Sequence, residues 1–287
     1  MSIKLASIMA VDLGGGIGYK DQLPWQSNRT DMRWFKDATL HKQVIVSPTT
    51  YDSIPSGLPE RHVTIARRQC KDETRETYLK ELVGDPITEF FNSMFNKGTI
   101  KLGDLPIVIG GKKVYESFEP ETVTKFITVI PGCHKADTKV ELNKLFDKEN
   151  WDVRFMGGSI NHDQYCYLII LDRKGEDQPH HGMVEQVNKH FEPYVKLTLK
   201  EGIILKPGCH GVAKINEIVA IPKNCTGVFS IRLSLAKKGL YTSGQLFRRN
   251  WIGYPEIVIT NKELTTIELP AGAEIGELGL VNAQYRG

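Results

Sequence analysis

Residues 3–36, IKLASIMAVDLGGGIGYKDQLPWQSNRTDMRWFK, hold a strand, a glycine turn and a helix in one stretch. The run IKLASIMAV (3–11) is densely apolar and of strand length, and it predicts a first strand. Gly14, Gly15, Gly16 and Gly18 end it and predict a flexible loop. Neither G-x-G-x-x-G nor a Walker pattern fits that loop, since Tyr19 and Lys20 occupy the wrong places. Pro24 and the polar run after it open a helix predicted at about 29 to 40, with Asp31, Met32 and Phe35 on one side at i, i+1, i+4 spacing. A carboxylate among large apolar side chains gains proton affinity and can deliver a proton or hold a protonated heterocycle. The plainer alternative is a first-turn acid favoured by the helix dipole.

Working outward, QVIVS (43–47), HVTIA (62–66), LPIVIGG (105–111), KFITVI (125–130), WDVRF (151–155) and YCYLIILD (165–172) are predicted strands. Helical patterns fill 72–98, and another begins at VYESF. Strands separated by helical stretches predict an α/β sheet whose last strands are antiparallel. Gly110-Gly111, between a strand and a helix start, either lets a pyrophosphate approach backbone N–H groups or makes a simple tight turn. Arg67 and Arg68, just past a strand end, suit a phosphate monoester or are an ordinary surface pair. The texture changes at KGEDQPHHG (174–182), where a linker spanning 174–193 is expected, with a short amphipathic piece in it. Beyond it come KLTLKEG, IILKPG, IVAIPKNCTG, VFSIRLSL, EIVITN, TTIELPAG and EIGELGLV, seven short strands that predict an all-β second domain. The expected division is 1–173, linker 174–193 and 194–287.

Composition sets the bounds. With 287 residues, 40% of them hydrophobic and 25% charged, the chain can bury two cores. Lys and Arg number 37 against 34 Asp and Glu, and neither half is strongly basic, so no nucleic-acid partner is expected. No stretch approaches the 18 or so apolar residues of a membrane span. The five scattered cysteines, an odd set, suggest reduced thiols in the cytoplasm. Cys209-His210, Cys133-His134 and His180-His181 lack zinc-site spacing, so no metal is expected.

Taken together, AVD (10–12), IGYKDQLPW (17–25), TDMRWFK (30–36), VIVSPTTYDSI (44–54), LPERHVTIAR (58–67), VIGGKKVYESF (108–118), FITVI (126–130) and YCYLIILDRK (165–174) make the N-terminal 173 residues resemble dihydrofolate reductase end to end. The resemblance implies an α/β sheet with flanking helices and NADPH-dependent reduction of dihydrofolate. It implies that Asp31 binds the pteridine and promotes its protonation, with the Thr128 hydroxyl beside it. Ile8 would meet the pterin through its carbonyl, Met32, Phe35 and Ile54 would wall the folate, and Arg61 would clamp the α-carboxylate of its glutamate tail. For the cofactor it implies Ile17 and Gly18 in a mobile closing loop, Thr50, Arg67, Arg68 and Lys112 at the phosphate side, a cis peptide at Gly110-Gly111, and Tyr115 by the nicotinamide. Ser47-Pro48 departs from the family's Gly-Arg pair, removing a charge and a backbone donor near the phosphates.

The segments IILKPG, EIVAIPKNCTGVFSIRLSLAKKGL, EIVITN and TTIELPAGAEIGELGL resemble the β-fold of dUTP pyrophosphatases and dCTP deaminases. That resemblance implies a homotrimer and a nucleotide-phosphate site near Arg232, Ser234 and Lys237. Leu233 replaces the first serine of the family's R-S-x-L pattern, Gln245-Leu246-Phe247-Arg248-Arg249 replaces the acidic segment, and Val258 stands where deaminases carry their glutamate. Without a general base neither hydrolysis is expected to proceed. The expectation is a reductase carrying a trimerising or nucleotide-sensing β domain, in thymidylate supply in a virus of bacteria; the alternatives are a bifunctional enzyme that also hydrolyses dUTP or deaminates dCTP and a non-catalytic binding or scaffold protein.

Overall fold

The computed structural model describes residues 4–54, 57–66, 105–161, 164–176 and 186–282. Leu5–Asp12 forms β1, Gly16–Gly18 β2, Gln43–Val46 β3, His62–Ile65 β4, Ile107–Gly110 β5, Thr122–Ile130 β6, Thr138–Lys139 β7, Trp151–Ser159 β8, Tyr167–Arg173 β9 and Phe191–Glu192 β10. Eight of these make one sheet in the order β10-β8-β9-β6-β1-β5-β3-β4. The pairs from β6 through β1, β5 and β3 to β4 are parallel, and β9, β8 and β10 are added antiparallel. Every residue of β3, β5 and β6 is buried, the physical reason their sequences are rich in apolar residues, with Gln43, Lys125 and the threonines of β6 buried among them.

Three helices position the site: α1 (Arg29–Thr39), α2 (Pro48–Asp52) and α3 (Lys112–Phe118). Alternation along β6 and β9 sends Phe126, Ile130, Leu168 and Ile170 to a core shared with Trp34 and Ala38 of α1. It sends Ile127, Val129, Tyr167, Ile169 and Leu171 to the opposite face, where they join Val195, Leu197, Ile218, Val219 and Ile221. The described residues 194–282 form the expected strand-rich unit, its strand pairs antiparallel, and it docks on the first sheet with a continuous apolar layer. Polar contacts pin the junction: the Asn250 side chain accepts from Val153 N and donates to Asp152 Oδ1, both at 3.0 Å, and Lys196 N donates to Tyr165 Oη at 2.8 Å.

Three expectations are revised, and one is refined. The glycine cluster is no slack loop: β2 pairs with β7, and the buried Asp12 carboxylate accepts from Gly14 N (2.9 Å), Gly16 N (2.7 Å) and His134 N (2.6 Å). The helix expected at about 29 to 40 runs Arg29–Thr39, behind an Asn28 cap whose side chain satisfies the N–H groups of Thr30 and Asp31. The stretch VFSIRLSL is a strand only to Ile231; Leu233–Ala236 turns into one helical turn, leaving Leu233 exposed. Within the segment expected as a linker, residues 186–192 pack on the first sheet through β10, with Val187 and Phe191 fully buried. The helical patterns at 72–98 lie outside the described residues.

Candidate active site

The Asn28 Oδ1 cap accepts from Thr30 N and Asp31 N, both at 3.1 Å, and thereby sets Asp31 in the first turn of α1. Asn28 Nδ2 in turn donates to Gln164 O at 3.0 Å, and Arg29 N to Gln164 Oε1 at 2.6 Å, so the turn leading into β9 fixes the helix start. Asp31 is buried, and burial raises its pKa to about 6, a rise that the nearby Thr128 hydroxyl partly offsets. Thr128, fully buried on β6, sets its hydroxyl beside the acid, where the Asp31 carboxyl is the polar group that it serves. Met32, 38% exposed, and the half-buried Phe35 extend the same helix beyond Asp31, and Ile54 packs on the same core.

Tyr115 rises from α3 and donates to the Ile8 carbonyl of β1 at 2.6 Å. Burial first, then the Asp31 charge, drives its hydroxyl pKa up, which keeps it a neutral donor. The Cys166 thiol is likewise pushed up by burial and by Asp31, placing both groups within electrostatic reach of the acid. At the Gly110–Gly111 cis peptide a Cβ on Gly110 would stand 2.9 Å from Thr50 Cγ2, and one on Gly111 would stand 3.1 Å from both Ser47 Oγ and Thr50 Oγ1. Ser47 and Pro48 are the cap and first residue of α2: Ser47 Oγ accepts from Thr50 N at 3.2 Å and from Gly111 N at 3.3 Å.

A family model described as "Dihydrofolate reductase" matches residues 4–170. The chain belongs to the dihydrofolate reductase family. Residues 171–282 match a second family model, "dCTP deaminase-like". Dihydrofolate reductase type 8 of Escherichia coli is 28% identical over 178 residues, covering 60% of this chain and 98% of that protein. Dihydrofolate reductase of Haemophilus influenzae is 27% identical over 177 residues, covering 58% and 97%. The bifunctional dihydrofolate reductase-thymidylate synthase of Paramecium tetraurelia is 27% identical over 200 residues, with 68% of this chain and 40% of that protein aligned. A solved dihydrofolate reductase from Enterococcus faecalis, complexed with NADP(H) and RAB-propyl, superposes at a TM-score of 0.44 and 20% identity over 60% of this chain and 96% of that one.

Within this dihydrofolate reductase family member, Arg61 spends three donors on the protein: Nε to Thr39 Oγ1 at 3.1 Å, Nη1 to Pro59 O at 2.8 Å and Nη2 to Lys36 O at 3.2 Å. Two of a guanidinium's five N–H bonds then remain, one on each terminal nitrogen, which suits a carboxylate. Ile17 and Gly18 lie on β2, and Lys112 opens α3 with Glu116 3.8 Å away. Arg67 and Arg68 lie outside the described residues. In the C-terminal unit Arg232, Ser234 and Lys237 are exposed around one helical turn, and Arg232 sits 3.6 Å from Glu274. A groove there, lined by Lys196, Ser230, Arg232, Glu274 and Glu277, is of mixed charge, unlike a dedicated triphosphate site. Among the described residues no group of three or more His, Cys, Asp or Glu is placed to hold a metal ion. Sequence reasoning missed Asp12, Asn28 and Gln164; only the N-cap preference for Asn gave any signal.

Proposed function

We propose that the chain reduces 7,8-dihydrofolate to tetrahydrofolate with NADPH. The observation that carries this reading is the buried Asp31 carboxyl, with a pKa of about 6, beside the Thr128 hydroxyl at the head of an apolar helix face. Roughly a tenth of such a group is protonated at pH 7. It therefore supplies protons at neutral pH, and in its ionised form it accepts hydrogen bonds from an amino-pyrimidine edge. Met32, Phe35 and Ile54 would exclude water around the pterin and the aminobenzoyl portion, and the Arg61 fork would hold the glutamate α-carboxylate. Ile8 and Tyr115 would lie where the two ring systems meet.

The residues around Gly110–Gly111 fit a dinucleotide. The helix α3 starts without a side-chain cap, so its first N–H groups are open to phosphate oxygens, and two glycines leave backbone alone on that edge. Thr50 Oγ1 accepts from Ser47 Oγ at 2.9 Å and keeps its own proton to donate. When bound, NADPH supplies the hydride. The protein positions the two rings, donates the proton from Asp31 and keeps bulk water out.

The C-terminal unit we read as non-catalytic, oligomerising as a trimer or sensing a nucleotide. Val258 lies mid-strand in Glu256–Asn261 and offers no general base, which supports this reading. The test is NADPH consumption with dihydrofolate, lost in Asp31→Asn. Absence of turnover by the wild-type protein sinks the reductase reading. Pyrophosphate or ammonia release from dUTP or dCTP would sink the non-catalytic one, and a light-scattering mass of one protomer would sink the trimer.

A further inference from the structure

We propose that residues 187–192 form a strap through which the C-terminal unit positions α1, with His190 as the positioning residue that keeps Asp31 in register with the cleft. Only the kinetic half of this proposal rests on the reductase reading. The backbone of the strap is fixed to the sheet: Phe191 and Glu192 pair with Ser159 and Gly158 of β8, and Ile160 N donates to His190 O at 3.0 Å. Its side chains grip the helix. His190 Nε2 meets Asp37 Oδ2 at 2.8 Å, with the imidazole side chain only 13% exposed. Phe191 and His190 stand edge-on to the Trp34 indole, at 6.0 Å and 83° and at 6.4 Å and 64°.

Trp34 lies one turn beyond Asp31, and Asp37 one turn beyond Trp34, so the strap holds the body of the helix on which the acid sits. The first turn is held separately, by Asn28 against Gln164. Trp34 and Ala38 also seat α1 in the core, and Arg61 bonds Lys36 O and Thr39 Oγ1 near its end, so the strap adds a polar grip at Asp37 between those anchors. That grip restrains rotation of the helix on the sheet, a motion that would carry Asp31, Met32 and Phe35 together. The strap leads through Pro193 directly into the strand Tyr194–Thr198 of the C-terminal unit, and Leu280 N donates to Pro193 O at 2.9 Å. Displacement of that unit is therefore transmitted to α1 within a few residues of chain. None of these contacts serves the chemistry directly, and their common effect is to fix where α1 lies.

The experiment uses the full chain as wild type, His190→Ala, His190→Gln, Asp37→Ala and the His190→Ala/Asp37→Ala double variant. Two readouts are taken: amide hydrogen exchange of peptides from residues 29–39, and kcat/KM for dihydrofolate as a function of pH. In His190→Ala we expect exchange in α1 to accelerate selectively and kcat/KM to fall roughly tenfold, with KM for NADPH unchanged. The pH profile should move toward acid as Asp31 becomes less enclosed. His190→Gln, which keeps a donor within reach of Asp37, should restore both, and the double variant should add nothing to the singles. Unchanged α1 exchange in His190→Ala, or uniform acceleration across the protein, overturns the strap. Selective acceleration with unaltered kinetics overturns its role in placing Asp31. If the wild type does not oxidise NADPH, the reductase reading falls while the exchange measurement still decides the strap.

Discussion

The Tyr115 hydroxyl donates to the Ile8 carbonyl at 2.6 Å, tying the first helical turns after Gly111 to the central strand of the sheet. Tyr115→Phe removes that bond and leaves a buried carbonyl one partner short. We expect a loss of about 1 kcal/mol in denaturant unfolding, with a few-fold fall in kcat/KM. A variant as stable and active as the wild type would show that the contact is dispensable.

Asp31 titrates at about 6 in the folded chain against 3.8 when unfolded, so between those values the folded state binds more protons. Stability contributed by this group is therefore fully present below pH 3.8 and is lost as pH rises to about 6, flat thereafter. Asp31→Asn, neutral at every pH, should be more stable than the wild type at pH 8, by up to roughly 3 kcal/mol, and should lack this slope. The same variant should lose about a hundredfold in kcat. Chemical melts at pH 4 and pH 8 test the sign.

Gly110 has φ +148, and an added Cβ would meet Thr50 Cγ2 at 2.9 Å. Gly110→Ala should cost roughly 2 kcal/mol and raise KM for NADPH more than KM for dihydrofolate. Thr50→Ser removes the clashing methyl, so the double variant should recover part of the stability. No recovery would place the strain in the backbone alone.

Asp12 accepts three backbone N–H groups from two segments. Asp12→Ala leaves those donors without their partner and should destabilise by about 3 kcal/mol. Exchange should then accelerate in Gly14–Gly18, the segment that β2 now holds against β7. Protection unchanged there would mean that the β2–β7 ladder suffices.

Asn250 bridges the two units through Val153 N and Asp152 Oδ1, from a backbone at φ +54. With the apolar layer continuous across the junction, the full chain should melt in a single transition by calorimetry. Asn250→Ala should lower that transition, combining lost hydrogen bonds with a left-handed backbone that alanine tolerates poorly. Two resolved transitions would refute a shared core.

The parts of this structure that were legible are those where burial is two-sided or strictly periodic. The strands β1, β3 and β5 announce themselves as largely apolar runs because neither face meets water, whereas β6 was legible only from Lys125 because Thr122 and Thr124 are buried polar residues. Asp31 stands out because an acid between large apolar neighbours on a helix is chemically unusual. The leucines of VFSIRLSL misled because alternation looks alike in a strand and in the first turn that follows it, while Leu233 turns out exposed. Asp12 was illegible since its three partners come from the chain around it, including His134, and backbone donors leave no mark in a sequence. The strap carries only Val187 and Phe191 as apolar residues, a spacing that suggests a buried side but cannot name α1 as what covers it.

The apolar layer between the sheet and the C-terminal strands has a practical corollary. We expect a chain cut after Arg173 to lose the partner of its buried sheet face. The cut would leave Val153, Met156 and Tyr167, now among the driest side chains of the molecule, on the outside of a large open sheet that invites clumping. The two halves have become each other's upholstery, and neither can be shed without redesigning the surface it leaves behind.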